Sequence, residues 1–271
     1  MYRRFLALAL LLPLASMWGD EPPEKGLLYA DCMSYVTQTR TARTVGKGRL
    51  CISLKLQEVD YDEKLGADDD YHDLAGHYRQ LKSSLSLKYG WARYHHIGFS
   101  IPYVWNDIET GTTDLRNEGW SNIAVFEKWN FLPETRWFPA IAMDAWYYLG
   151  TGDTAHKLGT TKPYLKLTTE ISKTWPRFSL HLNPVYVLRE GPEGYEINAA
   201  VVYKPCSTFW PVVEYNYESY RDKGRSADVV PCFIWKFRPG WAVKLGTVIN
   251  IDSTKTYRDH IGLVGKISYT Y

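Results

Sequence analysis

The chain has 271 residues and a net charge of +2, which argues against a nucleic-acid binder, while 23% charged residues taken alone suggest an ordinary soluble protein. The unusual quantity is aromatic content, with 21 Tyr and 11 Trp. Such enrichment marks the interface girdles of membrane barrels and also sugar-binding proteins.

Reading starts at the N-terminus, where Tyr2-Arg3-Arg4 is a basic lead. Phe5 to Leu14 follows as an apolar run of about ten residues, too short for a spanning helix of about twenty. Ala15-Ser16 and Gly19 offer small residues for cleavage, so residues 1–19 are expected to be a signal peptide. An uncleaved anchor fits less well, because Asp20-Glu21-Pro22-Pro23 follows at once. Residues 20–48 are expected to form an N-terminal periplasmic or plug segment, and residues 49–271 a transmembrane β-barrel. Cys32, Cys51, Cys206 and Cys232 show no CxxC or other metal spacing. An oxidising periplasm permits a disulfide, and the pairing is left open.

From residue 49 onward the chain alternates apolar and polar residues between turn-forming clusters. The alternation predicts strands at 49–60, 77–91, 94–105, 119–131, 136–149, 162–174, 178–189, 194–204, 208–219, 227–238, 240–251 and 260–271. The last is the clearest. Ile261, Leu263, Ile267, Tyr269 and Tyr271 fall on one face, and His260, Lys266, Ser268 and Thr270 on the other. In the fourth, Glu127 shares a face with Ile123 and Val125 and weakens the pattern. Each segment reaches the roughly nine to eleven residues of a tilted spanning strand, against about five or six in soluble sheets. The connections read as alternately short and long, with Asp60 to Gly76, Asn106 to Glu118 and Gly150 to Thr161 long. Short periplasmic turns and longer outer loops are the barrel rule. The expected fold is therefore all-β, a transmembrane antiparallel up-and-down β-barrel of about twelve strands in the bacterial outer membrane. A soluble β-sandwich shares the alternation but not the strand length.

Several short motifs carry a resemblance. Thr41 to Gly48, Leu87-Lys88-Tyr89-Gly90, Ile97 to Val104, Glu118 to Ile123 and Leu149-Gly150-Thr151-Gly152-Asp153 together resemble the outer-membrane transporter family named for the MetA pathway of phenol degradation. Two departures stand out: a Gly-x-Gly-Asp segment keeps only its first Gly, and Gly150 replaces a Pro. The final Tyr271, with Gly265 six places earlier, is similar to the C-terminal signature read by the barrel-assembly machinery. The resemblance implies passage of small solutes, hydrophobic or aromatic compounds among them.

The inward faces supply the candidate pore-lining residues Lys82, Lys88, Asp144, Lys166, Glu170, His181, Glu196, Glu214, Lys236, Lys244 and Lys266. Such charges line a water-filled path and set its selectivity, or else pair across a filled interior. Their cationic excess favours anionic solutes. The alternatives are a barrel enzyme acting on lipid, with His181 and Asn183 two apart on one face, and a plugged structural barrel. No metal site or cofactor is expected. His95 and His96 are adjacent and so point to opposite strand faces, and Gly150-Thr151-Gly152 lacks the spacing and Lys of a phosphate loop. The acidic cluster Asp60, Asp62, Glu63, Asp68, Asp69, Asp70 and Asp73 is solvated, or holds cations that bridge lipopolysaccharide. The expected partners are outer-membrane lipid and lipopolysaccharide, the barrel-assembly machinery through the C-terminal strand, and a small-molecule solute, with no nucleic acid.

Overall fold

The computed structural model describes residues 37–65, 71–110, 113–190, 193–221, 224–255 and 257–271. The signal-peptide expectation and most of the N-terminal segment lie outside these residues. Thirteen strands follow in order: β1 (Leu50–Leu65), β2 (Tyr71–Ala92), β3 (His95–Thr110), β4 (Thr113–Trp120), β5 (Ala124–Leu132), β6 (Ala140–Tyr148) and β7 (Tyr164–Thr174). They continue as β8 (Phe178–Arg189), β9 (Gly194–Tyr203), β10 (Phe209–Tyr220), β11 (Gly224–Arg238), β12 (Trp241–Ser253) and β13 (Tyr257–Thr270).

Every neighbouring pair is antiparallel, and β1 pairs with both β2 and β13, so the sheet closes on itself. The thirteen strands make twelve staves, because β4 and β5 both pair along β3, one above the other. The expected strand at 119–131 is therefore interrupted at residues 121–123. The interruption is stable because its backbone groups find other partners. Ser121 N–H donates to the Pro102 carbonyl at 2.9 Å, Ile123 N–H to Thr151 Oγ1 at 2.9 Å, and Thr151 Oγ1 donates to the Ser121 carbonyl at 3.0 Å. Glu127 does share the outward face with Val125, and it lies near the turn between β2 and β3, 3.5 Å from His95 Nδ1.

The burial pattern is inverted relative to a soluble protein. Along β8 the outward residues are Phe178, Leu180, Leu182 and Tyr186, all exposed, while Ser179, His181 and Asn183 are buried. Leu263 is 62% exposed and Ile97 51%, whereas Glu170, Asn183 and Glu214 are 0%. Apolar side chains that face outward around a closed ring have only lipid to bury them, and the closed ring leaves no unpaired edge. Aromatic pairs gather at the end carrying the chain terminus, among them Phe178–Tyr203, Phe237–Trp241 and Trp241–Tyr269. A second group, including Tyr195–Tyr217 and Tyr103–Trp120, sits at the other end. Two such girdles are what a bilayer with two interfaces selects. This is a barrel of the bacterial outer membrane.

The loop-length expectation is corrected. β1 runs to Leu65 and β2 begins at Tyr71, so much of the expected 60–76 loop is hairpin. Only residues 111–112 separate β3 from β4, and 254–256 separate β12 from β13. Outside the bilayer both faces of a hairpin can be wetted, so polar residues continue the ladder and the alternation of greasy and polar faces no longer marks the strand end. The segment 149–163 remains long, and the turn at 133–139 exceeds several of the outer connections.

Candidate functional site: the barrel lumen

Residues 37–46 precede β1 and cross the terminal half of the lumen as an extended segment bonded to the wall on several sides. Thr37 donates through N–H and Oγ1 to the two Glu214 carboxylate oxygens at 3.1 and 2.8 Å. Asn183 reads Arg40 as a paired strand would, accepting from its N–H at 2.6 Å and donating to its carbonyl at 3.1 Å. Arg40 itself reaches Asp144 at 2.8 Å and lies 4.2 Å over the Trp146 ring. Lys128 donates to the Thr41 carbonyl at 3.0 Å, Asn130 to that of Ala42, and Val45 N–H donates to His96 Nδ1 at 3.1 Å. Thr39, Ala42 and Val45 are fully buried, so the segment packs closely against the wall in this half of the lumen. Gly90 makes the last approach possible, since a Cβ there would lie 2.1 Å from the Gly46 carbonyl oxygen.

The anchor of this region is Lys128, whose ammonium meets Glu170 at 2.6 Å and Asp144 at 3.8 Å with all three side chains buried. A buried ion pair adds little net stability over an apolar replacement, but losing one partner strands the other charge. Through Lys128, which also donates to the Thr41 carbonyl, the pairing ties residues 37–46 to β5, β6 and β7.

Above the segment a cavity of about 320 Å³ remains open. Among the described residues, Arg40, Lys55, Lys82, Lys88, Lys166 and Lys266 line it, and Glu196 is the one carboxylate doing so. Lys166 holds Glu196 at 2.5 Å. Trp146, Tyr148 and Tyr164 form another part of the lining.

At the outer end the 149–163 segment folds against β4 and the break after it. Asn122 donates to the Thr160 carbonyl and accepts from Thr160 N–H, both at 2.8 Å. Leu158 packs over Gly119, and Gly159, at φ +148°, lies where a Cβ would meet Asn122 Oδ1. Asp153 organises the turn by accepting from Ala155 N–H at 2.9 Å and meeting His156 Nδ1 at 2.6 Å. The His156 hydrogen bond holds the Asp153 carboxyl below its usual range.

The expected pore-lining residues divide between these regions. Lys82, Lys88, Lys166, Glu196 and Lys266 line the cavity, whereas Asp144, Glu170 and Glu214 are bound up with Lys128 or with residues 37–40. His181 accepts or donates at 2.8 Å with Ser172 Oγ, Lys236 lies 3.7 Å over Trp210, and Lys244 is buried beside Lys266 in register. Sequence reasoning missed Lys128 and Arg40. The alternation Ala124, Phe126, Lys128, Asn130 was available to place the first; Arg40 carried no local signal. Cys51 is disulfide-bonded, and Cys206 and Cys232 are free thiols. His95 and His96 do point apart, His95 stacking on Trp129 and His96 facing Val45. Among the described residues no group of three or more His, Cys, Asp or Glu is placed to hold a metal ion.

The Ser172–His181 contact is the arrangement a hydrolase needs, yet Ala42 N–H donates to Ser172 Oγ at 2.8 Å and both side chains are buried beside residues 37–46. Asn183, the would-be third member, is bonded to Arg40 instead.

No family model and no curated protein matches the sequence. Solved structures do match by fold. The COG4313 outer membrane channel from Pseudomonas putida F1 aligns with TM-score 0.71 and 9% identity, over 85% of this chain and 98% of that one. The deltaS2 mutant of the TodX monoaromatic hydrocarbon channel aligns with TM-score 0.52 and 9% identity, over 88% and 98%. The translocator domain of the autotransporter NalP from Neisseria meningitidis gives TM-score 0.50 and 8% identity, over 83% and 88%. At such identities the likeness is one of fold, an outer-membrane barrel.

Proposed function

We propose that this outer-membrane barrel is a passive channel for small solutes, with residues 37–46 forming its constriction. The supporting observation is an open, cationic cavity inside a lipid-facing wall, narrowed on the terminal side by one segment of the chain. A barrel built only as a scaffold has no need to keep lysines around an unfilled space, because charged groups are retained most easily where water reaches them. The motif resemblance to the transporter family of the MetA pathway supports hydrophobic or aromatic compounds as cargo. So does the likeness to a barrel described as a monoaromatic hydrocarbon channel. The lipid-hydrolase reading is disfavoured by the capping of Ser172, and the chain is read as a non-enzyme. Outer-membrane lipid, with lipopolysaccharide at the outer rim near Asp60, Asp62, Glu63 and Asp73, completes the partners, along with the assembly machinery at the exposed Tyr271.

Liposome swelling and single-channel conductance of the purified protein test this. The full chain is expected to pass small solutes, and removal of residues 37–46 to raise conductance severalfold. A protein that conducts nothing with the segment removed, while still folded as a barrel, refutes the channel. Lipid hydrolysis that disappears in His181→Ala would establish the enzyme instead.

A further inference from the structure

The two rims of the barrel treat charge differently. At the outer rim cations stand beside carboxylates: Arg116 meets Asp107 at 3.0 Å, Lys162 meets Glu190 at 3.3 Å and Arg225 meets Asp252 at 3.3 Å. The terminal rim consists of the connections 93–94, 133–139, 175–177, 204–208 and 239–240, with 46–49 leading into β1. Glu134 is the one side-chain carboxylate in them. Cations of this rim include Lys47, Arg136, Arg177 and, at the end of β11, Arg238, all four exposed.

Glu134 is already committed within its own turn. It accepts from Thr174 N–H at 2.6 Å, and Arg43 and Lys173 lie 3.4 and 3.8 Å from its carboxylate. Lys173 also donates to the carbonyls of Thr135 and Arg136 at 2.6 and 2.9 Å. These bonds hold the turn in one shape, which projects Arg136 and the two aromatic residues after it. Trp137 is 78% exposed and Phe138 64%, and the Arg136 guanidinium lies 5.1 Å over the Trp137 ring. Arg177 sits between exposed Trp175 and Phe178, and Arg238 between exposed Phe237 and Trp241.

Cations beside exposed rings at the edge of a greasy wall match the headgroup layer, where rings lie among the headgroups and basic residues meet anionic lipid. A guanidinium takes phosphate oxygens two at a time. A zwitterionic headgroup carries its own cation, which competes for its phosphate; an anionic one does not. Placement around the ring separates lipid from a protein partner. The four cations belong to the entry to β1 and to the β5–β6, β7–β8 and β11–β12 connections, spread round the closed sheet. A docked protein covers one side of such a ring, whereas lipid surrounds all of it. We propose that the terminal rim is a binding surface for anionic phospholipid headgroups, with Arg136, Arg177 and Arg238 on the phosphates and Trp137, Phe138 and Trp175 seated between them. The inference is independent of conduction and of what the lumen carries.

Spin-labelled phosphatidylglycerol and spin-labelled phosphatidylcholine test the surface, each added to the full chain folded in phosphatidylcholine vesicles. The reading is the fraction of label immobilised at the protein. Phosphatidylglycerol is expected to be favoured, and high salt to erase the preference. Arg136→Gln, Arg177→Gln and Arg238→Gln together should bring the two lipids to parity, each lost charge costing up to about fivefold. Arg136→Lys, Arg177→Lys and Arg238→Lys together should keep the preference, and so should Arg116→Gln with Arg225→Gln at the outer rim. A full chain that favours neither lipid overturns the proposal and leaves the rim to an acidic protein. So does a preference that persists at high salt, which is read without any variant. A triple Gln variant with intact β-sheet circular dichroism and an unchanged preference overturns it as well, as does an equal loss in the outer-rim variant.

Discussion

The two halves of the lumen are built from the same alternating strands and do opposite things. In the terminal half, polar side chains reach inward and close on a peptide, so Glu214, Asn183, Lys128 and His96 spend their hydrogen bonds on residues 37–45. In the outer half, Lys82 and Lys166 border an open cavity. An inward polar residue is thus not by itself a pore-lining residue. What decides is whether a backbone segment lies opposite to satisfy it.

That contrast is broken most severely at Lys128. Lys128→Met should leave Glu170 buried without its cation and cost about 3–5 kcal/mol, read by urea unfolding in lipid vesicles. Adding Glu170→Gln should recover much of the loss; a Lys128→Met variant as stable as the parent would show that the packed half is not held by this pair. A smaller effect is expected at the glycines, and it separates the halves. Gly90→Ala should push the Gly46 backbone off the wall and raise conductance, whereas Gly159→Ala should loosen the outer segment and leave the constriction in place. Equal conductance changes from both would erase the distinction.

The smallest effect is acid-dependent and confined to the outer turn. Asp153 is held below its usual range when folded, so it adds stability at pH above that range. The contribution disappears as pH falls through the depressed value. Asp153→Asn should therefore expose the Ala155 and His156 amides to hydrogen exchange near neutral pH and make no difference in acid. A difference that persists unchanged in acid would remove the Asp153–His156 contact as its cause.

Much of the wall was legible because strand periodicity is local. In β8 and β13 each residue's neighbours two places away report its face, and the bilayer demands that the outward row be apolar. The break at 121–123 was not legible, since Thr151 and Thr160, which satisfy it, come from 28 and 38 residues away. The outer strand ends were misjudged for a different reason: past the bilayer, nothing requires one face to be greasy.

The sequence by itself determined a closed, lipid-facing barrel of twelve staves, because period and strand length are enforced at every residue by the membrane. Only the tertiary structure decided which inward charges face water. Residues 37–46 have no periodicity, and their places are set by bonds to side chains as far as 179 positions along the chain. The tertiary structure also set Lys55 opposite Lys266, a pairing fixed by the register of ring closure between the first strand and the last.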